Sequence, residues 1–365
     1  MWFSHFVLIE HKGLHLLLQG LAMDSVTILY HLLQLSLISS SLQLCGVSTA
    51  QVMEEMFKDF MVKFNKSYQD KEELAWRFQI FTDNMEEARR LQAHELGTAK
   101  YGVTKFSDLT DKEFSKFHLN PGPIQALPST RKANWDHWAS LHQHQAFCDW
   151  RKRGVVSQVK NQGQCGSCWA FAAAANIESL WGIIGHPKNV SVQELIDCSK
   201  CADCSGGYTW DAFLTVLNRS GLMSEKDYPY VAKKKKCRKQ KKPSEAWIHD
   251  FAMLLKNETY MANWVASSGP ITVTINMPTL KHYNGGVARP RNGDCDPNTA
   301  HVVLIVGFGG KRIPYWILKN SWGRHWGEQG YLRLHRGSNA CNINKYPVTA
   351  IVEKNAEQIT SPCPY

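Results

Sequence analysis

The stretch that decides the fold is residues 161–181, NQGQCGSCWAFAAAANIESLW. From Cys168 onward it is rich in alanine and apolar nearly all round its first half, which is the composition of a helix buried in a core. Cys168 stands in the first turn of that helix, where backbone N–H groups lack intrahelical partners and the helix dipole favours an anion. A thiolate is such an anion, and the thiolate is the form of cysteine that attacks a carbonyl carbon. A lone buried cysteine is more often inert packing, so the reading depends on what the rest of the chain supplies. The same residues also spell Cys165-Gly166-Ser167-Cys168, a C-x-x-C at a helix start, which is the grammar of a thiol–disulfide oxidoreductase.

Downstream the vocabulary changes. ITVTINM (271–277), HVVLIVGFG (301–309), YWILKN (315–320) and GYLRLHR (330–336) are short β-branched or aromatic runs separated by Gly and Pro turns, and they read as strands. His301 opens one of them and projects from a sheet edge. An imidazolium there lowers the thiol pKa, and the same ring later protonates the leaving amine. Asn320 closes another strand; its amide fixes the ring while Trp322 shields that hydrogen bond from water. Gln162, six residues before Cys168, can donate its amide to a developing oxyanion together with the Cys168 backbone N–H. Trp169 and Trp322 alone would be ordinary core aromatics; here packing and positioning of the site coincide.

The chain has 365 residues, 44% of them apolar, enough for one large core or two modest ones. A broken apolar opening, with its cleanest run from Val26 to Ile38 and small residues at 47–50, reads as a signal region, residues 1–50, with Met23 an alternative start. Residues 51–120 follow as a helical pro-segment. Met53, Met56, Phe57, Phe60, Met61 and Phe64 fall at helical spacing, and a second, highly charged helix spans 72–93 with Leu74, Phe78, Phe81 and Met85 on one side. Residues 121–146, with Pro121-Gly122-Pro123 and Pro128, read as an exposed linker suited to a maturation cut, and a tail occupies 354–365. The core domain is 147–353, a helical lobe followed by a β-rich one. Eleven cysteines, an odd number, suit an oxidising compartment with at least one free thiol. The sequons at Asn65, Asn189, Asn218 and Asn257 fit that compartment and are glycosylation candidates. The net charge of +10 comes largely from residues 233–242, eight of them basic, with Cys237 among them; a solvated loop tied by a disulfide is the expected reading, and nucleic-acid binding is not expected.

These residues together resemble the papain-like cysteine proteases. That family carries C-G-[SA]-C-[WY] with His and Asn about 130–150 residues further on, and here His301 and Asn320 lie 133 and 152 residues beyond Cys168. In the pro-segment Glu73, Arg77, Phe81, Asn84, Ala88 and Gln92, followed by Gly102, Thr104, Phe106 and Asp108, resemble the pro-motifs of the branch that contains cathepsins F and W. VSVQELIDC, TWDAFLTVLN, SEKDYPY and LHRGSNAC, with Cys148 and Cys363, look most like the W side. The resemblance implies an α+β, two-lobed papain-like fold, with a helical left lobe and a β-barrel-like right lobe, preceded by a helical inhibitory propeptide. It implies Cys168, His301 and Asn320 as catalytic residues, Gln162 in the oxyanion hole, and a thioacyl-enzyme intermediate.

Other implications concern pairing and specificity. By position Cys165 would pair with Cys204, Cys198 with Cys237 and Cys295 with Cys341, leaving Cys148, Cys201 and Cys363 unassigned and Cys45 lost with the signal region. Gly206 and Gly207 would let substrate backbone approach. Tyr208, Thr274, Ala300 and Tyr346 map onto the pocket for the side chain two before the cleaved bond, with Trp322 beside the site; Tyr346 shortens that pocket, which implies small or medium apolar preferences. Two departures are Ala300, where several relatives have a carboxylate, and Asn342, where a glycine is common. The implied partners are protein or peptide substrates and the chain's own propeptide; no cofactor, metal, nucleic acid or stable membrane span is expected, and a monomer is. The implied setting is the secretory pathway, in the lysosomal, endosomal or endoplasmic-reticulum lumen or outside the cell.

Three rivals remain on residues alone. The oxidoreductase reading uses Cys165 and Cys168 but gives His301, Asn320 and Gln162 nothing to do. A zinc module at Cys198, Cys201 and Cys204 has ligand spacing without a fourth ligand. A non-catalytic papain-fold homologue would keep the fold for binding, against which the complete catalytic set argues.

Overall fold

The computed structural model describes residues 48–119, 146–240, 242–352 and 363–364. Residues 1–47 of the expected signal region (1–50), nearly all of the expected linker and most of the expected tail lie outside them. Contacts divide the chain into two units, Met1–Asp59 and Phe60–Tyr365. Helix α1 (Thr49–Lys63) runs across the division. The functional site belongs wholly to the second unit.

After the end of α1, that unit continues with α2 (Lys71–His94), whose first turn is capped by Asp70 accepting from the backbone of Glu72 and Glu73. Its buried stripe is Ile80, Phe81, Asn84, Met85, Ala88 and Leu91, while Leu74, expected on that stripe, is exposed. Then come β1 (Lys100–Tyr101) and α3 (Asp111–His118), the latter started by a capping box in which Thr110 and Glu113 satisfy each other's backbone N–H groups. The spacing of the charged and apolar pro-motifs has a direct structural reason. Arg77 donates to the Asp108 carbonyl and to both oxygens of Glu113, Asn84 to the carbonyls of Ser107 and Leu109, and Gln92 to that of Ala99. One face of α2 therefore latches the whole segment from Ala99 to Glu113. Asp108, in turn, is held by Lys66 at 2.7 Å and by the Tyr68 hydroxyl at 3.1 Å.

The rest of the unit runs β2 (Cys148–Asp149), α4 (Cys168–Ile183), α5 (Val192–Cys198), α6 (Thr209–Arg219), β3 (Asp250–Met253), α7 (Glu258–Ser267) and β4 (Ile271–Ile275). It continues with β5 (Tyr283–Gly285), β6 (Val287–Ala288), β7 (His301–Gly309), β8 (Tyr315–Lys319), β9 (Tyr331–His335) and β10 (Val348–Ile351). The main sheet has the order β3-β10-β4-β7-β8-β9-β6, with β2 also on β7. Helix α4 is the shared wall of the two lobes. It packs on α5 and α6 on one side and on β4, β7 and β10 on the other, which is why all but one of its residues are buried.

The order of lobes along the chain differs from the sequence expectation. A clean passage from helical lobe to β-rich lobe at Ile271 does not occur, because β2 and β3, both earlier in the chain, join the sheet. Two and four residues are too short to carry a strand periodicity, and their placement comes from tertiary pairing. Four disulfides staple the described chain: Cys165–Cys204, Cys198–Cys237, Cys295–Cys341 and Cys148–Cys363. Cys168 and Cys201 are free, the first buried and the second exposed.

Candidate active site

Cys168 sits at the first position of α4, and the cap residue Ser167 spends its hydroxyl on Tyr230 and the Cys165 carbonyl instead of on the helix. The first-turn N–H groups are thereby left for the sulfur. The thiol also accepts from the backbone N–H of Val302 at 3.5 Å, which brings the start of β7 against the start of α4. Val302 follows His301, whose position is fixed in the sheet opposite Ile275. Among the described residues the His301 Nδ1 has no hydrogen-bond partner although it is buried. Its Nε2 donates to Asn320 Oδ1 at 2.7 Å. The Ser321 backbone N–H donates to the same oxygen, also at 2.7 Å, which settles the orientation of the amide and hence the tautomer of the ring. The indole of Trp322 lies over the imidazole, centroids 4.5 Å apart and planes 26° apart, and closes this hydrogen bond off from water.

Gln162 is fully buried. Its Nε2 donates to the Cys165 carbonyl at 2.9 Å, and its Oε1 accepts from the Ser321 hydroxyl at 2.6 Å. The backbone of Gln162 is tied to Ser321 as well, its N–H donating to the Ser321 carbonyl. Ser321 thus couples Gln162 and Asn320 directly, a role that its place between Asn320 and Trp322 does not reveal in the sequence. Tyr230, inside the quoted SEKDYPY phrase, is a second support missed: its hydroxyl donates to the Gln162 carbonyl at 2.6 Å.

The N-terminal segment covers this site. β1 pairs with β5 as an antiparallel ribbon. Gly286, at φ +83°, lets the Thr98 carbonyl come so close that a Cβ would sit 2.1 Å from it. Further along, Thr104 donates to the Lys281 carbonyl, and Lys105 donates to the Trp322 carbonyl at 2.6 Å. Phe106, Phe114 and His118 pack on Trp322 with centroids 5.2, 5.4 and 6.3 Å away. The His118 carbonyl then accepts from Gln162 Nε2 at 3.5 Å, so the amide proposed for an oxyanion already faces a carbonyl oxygen of the chain's own N-terminal segment.

Covering the site has an electrostatic result. Burial pushes the Cys168 thiol up to about 12, against the opposing pull of the N–H groups of Val302, Trp169 and Cys168 itself. Burial also pushes His301 down to about 4, although its bond to Asn320 works the other way. The covered pair is therefore a neutral thiol beside a neutral imidazole.

The residues expected to shape specificity divide. Tyr208 stacks on Trp210 at 4.2 Å, and Tyr346 meets both edge-on at 6.1 and 5.7 Å. Thr274 is opposite Val302 on the neighbouring strand and nearly buried, and Ala300 immediately precedes His301. Trp210 was not singled out in sequence; its one signal was its place two residues after Tyr208. Gly206 adopts φ +129° and pairs with Asp203, and a Cβ on Gly207 would lie 2.3 Å from the Ala202 side chain. Asn342, at φ +61°, occupies the left-handed region where glycine is at ease, and its amide is used on Asn276 at 3.2 Å. The four sequon asparagines are all exposed.

The C-x-x-C and zinc readings fail on geometry. Cys165 is bonded to Cys204, and Cys198 to Cys237, so neither a redox pair with Cys168 nor a three-thiolate ligand set exists. No helix among the described residues is long and apolar enough to cross a membrane.

Comparison with known proteins gives matches to two families. Residues 145–351 match the papain family of cysteine proteases, and residues 57–114 match the cathepsin propeptide inhibitor domain. Cathepsin W of Mus musculus is 46% identical over 338 residues, covering 86% of this chain and 90% of its own length. Cathepsin F of Mus musculus is 40% identical over 314 residues, covering 82% of this chain and 65% of its own. Among solved structures, the digestive procathepsin L2 proteinase of Tenebrio molitor larval midgut superimposes with a TM-score of 0.74 at 32% identity, covering 82% of this chain and all of that one.

Proposed function

The chain belongs to the papain family of cysteine proteases, a cathepsin W-like zymogen with its propeptide inhibitor domain attached, and from that premise we propose that Cys168, His301 and Asn320 carry the reaction. The observation that carries the assignment is the ordered relay from α4 to the sheet: the thiol against Val302, the ring of the preceding residue held by Asn320, and Trp322 stacked over that ring.

Once the N-terminal segment leaves, the thiol yields its proton to His301 Nδ1 and the thiolate attacks the scissile carbonyl carbon. The carbonyl oxygen becomes an oxyanion, received by Gln162 Nε2 and the Cys168 N–H. As the tetrahedral species collapses, the carbon–nitrogen bond breaks and His301 gives its proton to the departing amine, leaving a thioacyl-enzyme. A water molecule, deprotonated by His301, then attacks the thioester carbon; the carbon–sulfur bond breaks, the acid product leaves, and the proton on His301 returns to the sulfur. Asn320 keeps the ring in the required tautomer throughout.

The cleavable linker at 121–146 separates the propeptide, residues 51–120, from the peptidase domain, residues 147–353. The four disulfides and exposed sequons Asn65, Asn189, Asn218 and Asn257 support a lumen of the secretory pathway, with the protein acting as a monomer in an endolysosomal or endoplasmic-reticulum compartment or after secretion. Gly206 and Gly207 offer backbone to an extended peptide, while Tyr208, Thr274, Ala300 and Tyr346 bound a short apolar pocket for its second side chain.

The deciding experiment activates the purified precursor in acid and treats it with an epoxide inhibitor of papain-like proteases, alongside Cys168→Ala. Wild type is expected to gain one inhibitor mass and to cleave peptides, and the variant to do neither. A fully processed wild type that is neither labelled nor active sinks the catalytic assignment and leaves a binding homologue.

A further inference from the structure

The basic segment at 233–240 is more constrained than a solvated loop needs to be. The Val231 N–H donates to Gln193 Oε1, and Gln193 Nε2 donates to the Lys233 carbonyl. The Lys235 N–H donates to Asp197 and the Arg238 N–H to the Tyr228 hydroxyl. Cys237 is bonded to Cys198 at the end of α5. Arg238 lies 3.6 Å over the Tyr228 ring, and Lys234 is spent on the carbonyls of Ser199 and Ala202. The backbone and the disulfide thus tie the run to the domain, while every residue from Lys233 to Lys239 remains exposed.

The ammonium groups of Lys233, Lys235, Lys236 and Lys239 meet no acidic or carbonyl partner among the described residues, and all four residues are exposed. Nearby carboxylates are already committed. Asp197 serves Gln193, Tyr228 and the Lys235 backbone; Glu194 serves Arg219, Gln240 and the Met223 backbone; Asp227 serves Lys242 and Ser224. Beside the run is a cavity of about 670 Å³ whose lining includes Lys236, Arg238, Lys239 and Lys242. A fixed row of uncompensated cations next to a cationic hollow is a preorganised receiver for repeated anionic groups on one linear molecule.

We infer that residues 233–240, with Lys242, form a binding site for a sulfated linear polysaccharide. Three observations favour that polyanion over others. Tyr228, the aromatic ring within the patch, is buried beneath Arg238 and offers no face on which a base could stack. The run is not a helix and has no apolar face to enter a bilayer. The disulfide at its centre suits an oxidising compartment, where sulfated polysaccharides are the available linear polyanions. The site rests on the luminal placement proposed above and not on the proteolytic reading.

The test measures binding of the whole zymogen to heparin, desulfated heparin, phosphatidylserine vesicles and single-stranded RNA at physiological salt. A combined Lys233→Ala, Lys235→Ala, Lys236→Ala, Lys239→Ala variant is compared with a charge-matched control, Lys71→Ala, Lys112→Ala, Lys311→Ala, Arg312→Ala. Heparin affinity should fall about tenfold or more in the first variant, stay within about twofold in the control, and weaken steeply with added salt. Equal heparin binding by wild type and the first variant overturns the site, as does preference for desulfated heparin, vesicles or RNA. Epoxide labelling of each activated protein, measured in parallel, reports folding and keeps a failure of this site distinct from a failure of the protease assignment.

Discussion

At the scale of single residues, ionisation follows from cover. With Cys168 pushed up to about 12 and His301 down to about 4, a neutral pair persists across the intervening pH range in the covered form. Uncovering removes the desolvation that dominates both shifts, so the thiol falls and the imidazole rises toward an ion pair. Alkylation of Cys168 by iodoacetamide should therefore be slow in the intact zymogen at neutral pH and at least about tenfold faster, already in mild acid, after processing. Equal rates before and after processing would show that the segment does not govern the thiol. Tyr346 makes a second prediction at this scale. Its ring closes on Tyr208 and Trp210, so Tyr346→Ala should deepen the pocket and shift a peptide-library profile toward larger side chains at the second position, mainly through KM. An unchanged profile places the pocket elsewhere.

Among elements, the attachment of α3 to the cleft has a built-in response to acid. His118 is packed between Phe106, Phe114 and Trp322 with a buried, unpartnered Nδ1. Burial first, and then Lys105, His301 and Lys66, lower its pKa from 6.5 to about 3. The docked state thus binds fewer protons than the released one between these values. Its docking contribution is complete above about pH 6.5 and is lost progressively as the pH falls toward 3. Glu113 acts in the same direction: burial opposes its ionisation, but hydrogen bonds from Arg77 and Thr110 outweigh that and hold it low, so its support fails as pH falls through its own lowered value. His118→Phe should retain the aromatic packing without the proton, and autoactivation should then require more acid, read as loss of propeptide mass over time at stepped pH. An unchanged activation profile rules out His118 as the sensor. The pro-motif residues of α2 were legible in sequence because they repeat on one helix face. His118 and Lys105 were not, because their meaning depends on Trp322, more than two hundred residues away. The same applies to β2 and β3, whose strand character arises from partners distant in the chain.

For the whole molecule, the two-lobed arrangement was readable from the helix at Cys168 and the later strands, and the candidate site from the spacing of Cys168, His301, Asn320 and Gln162, which the fold brings together. Cys148–Cys363 was not readable, since its 215-residue separation leaves no local trace. It anchors β2 and the tail together: the Asp149 N–H donates to the Pro364 carbonyl and the Cys363 N–H to that of Ala266. Replacing both cysteines with alanine should lower unfolding stability by about 2–5 kcal/mol while leaving epoxide labelling intact at low temperature. A thermal midpoint equal to wild type would reduce this bond to an ornament of the surface. The bond also has a topological consequence. Residues 148–363 form a covalent ring, so a single peptide-bond cut anywhere within it opens the ring without parting it into pieces. In a compartment crowded with other proteases the domain would travel through its first nick as one molecule, of unchanged size on a non-reducing gel and of two sizes once reductant is added.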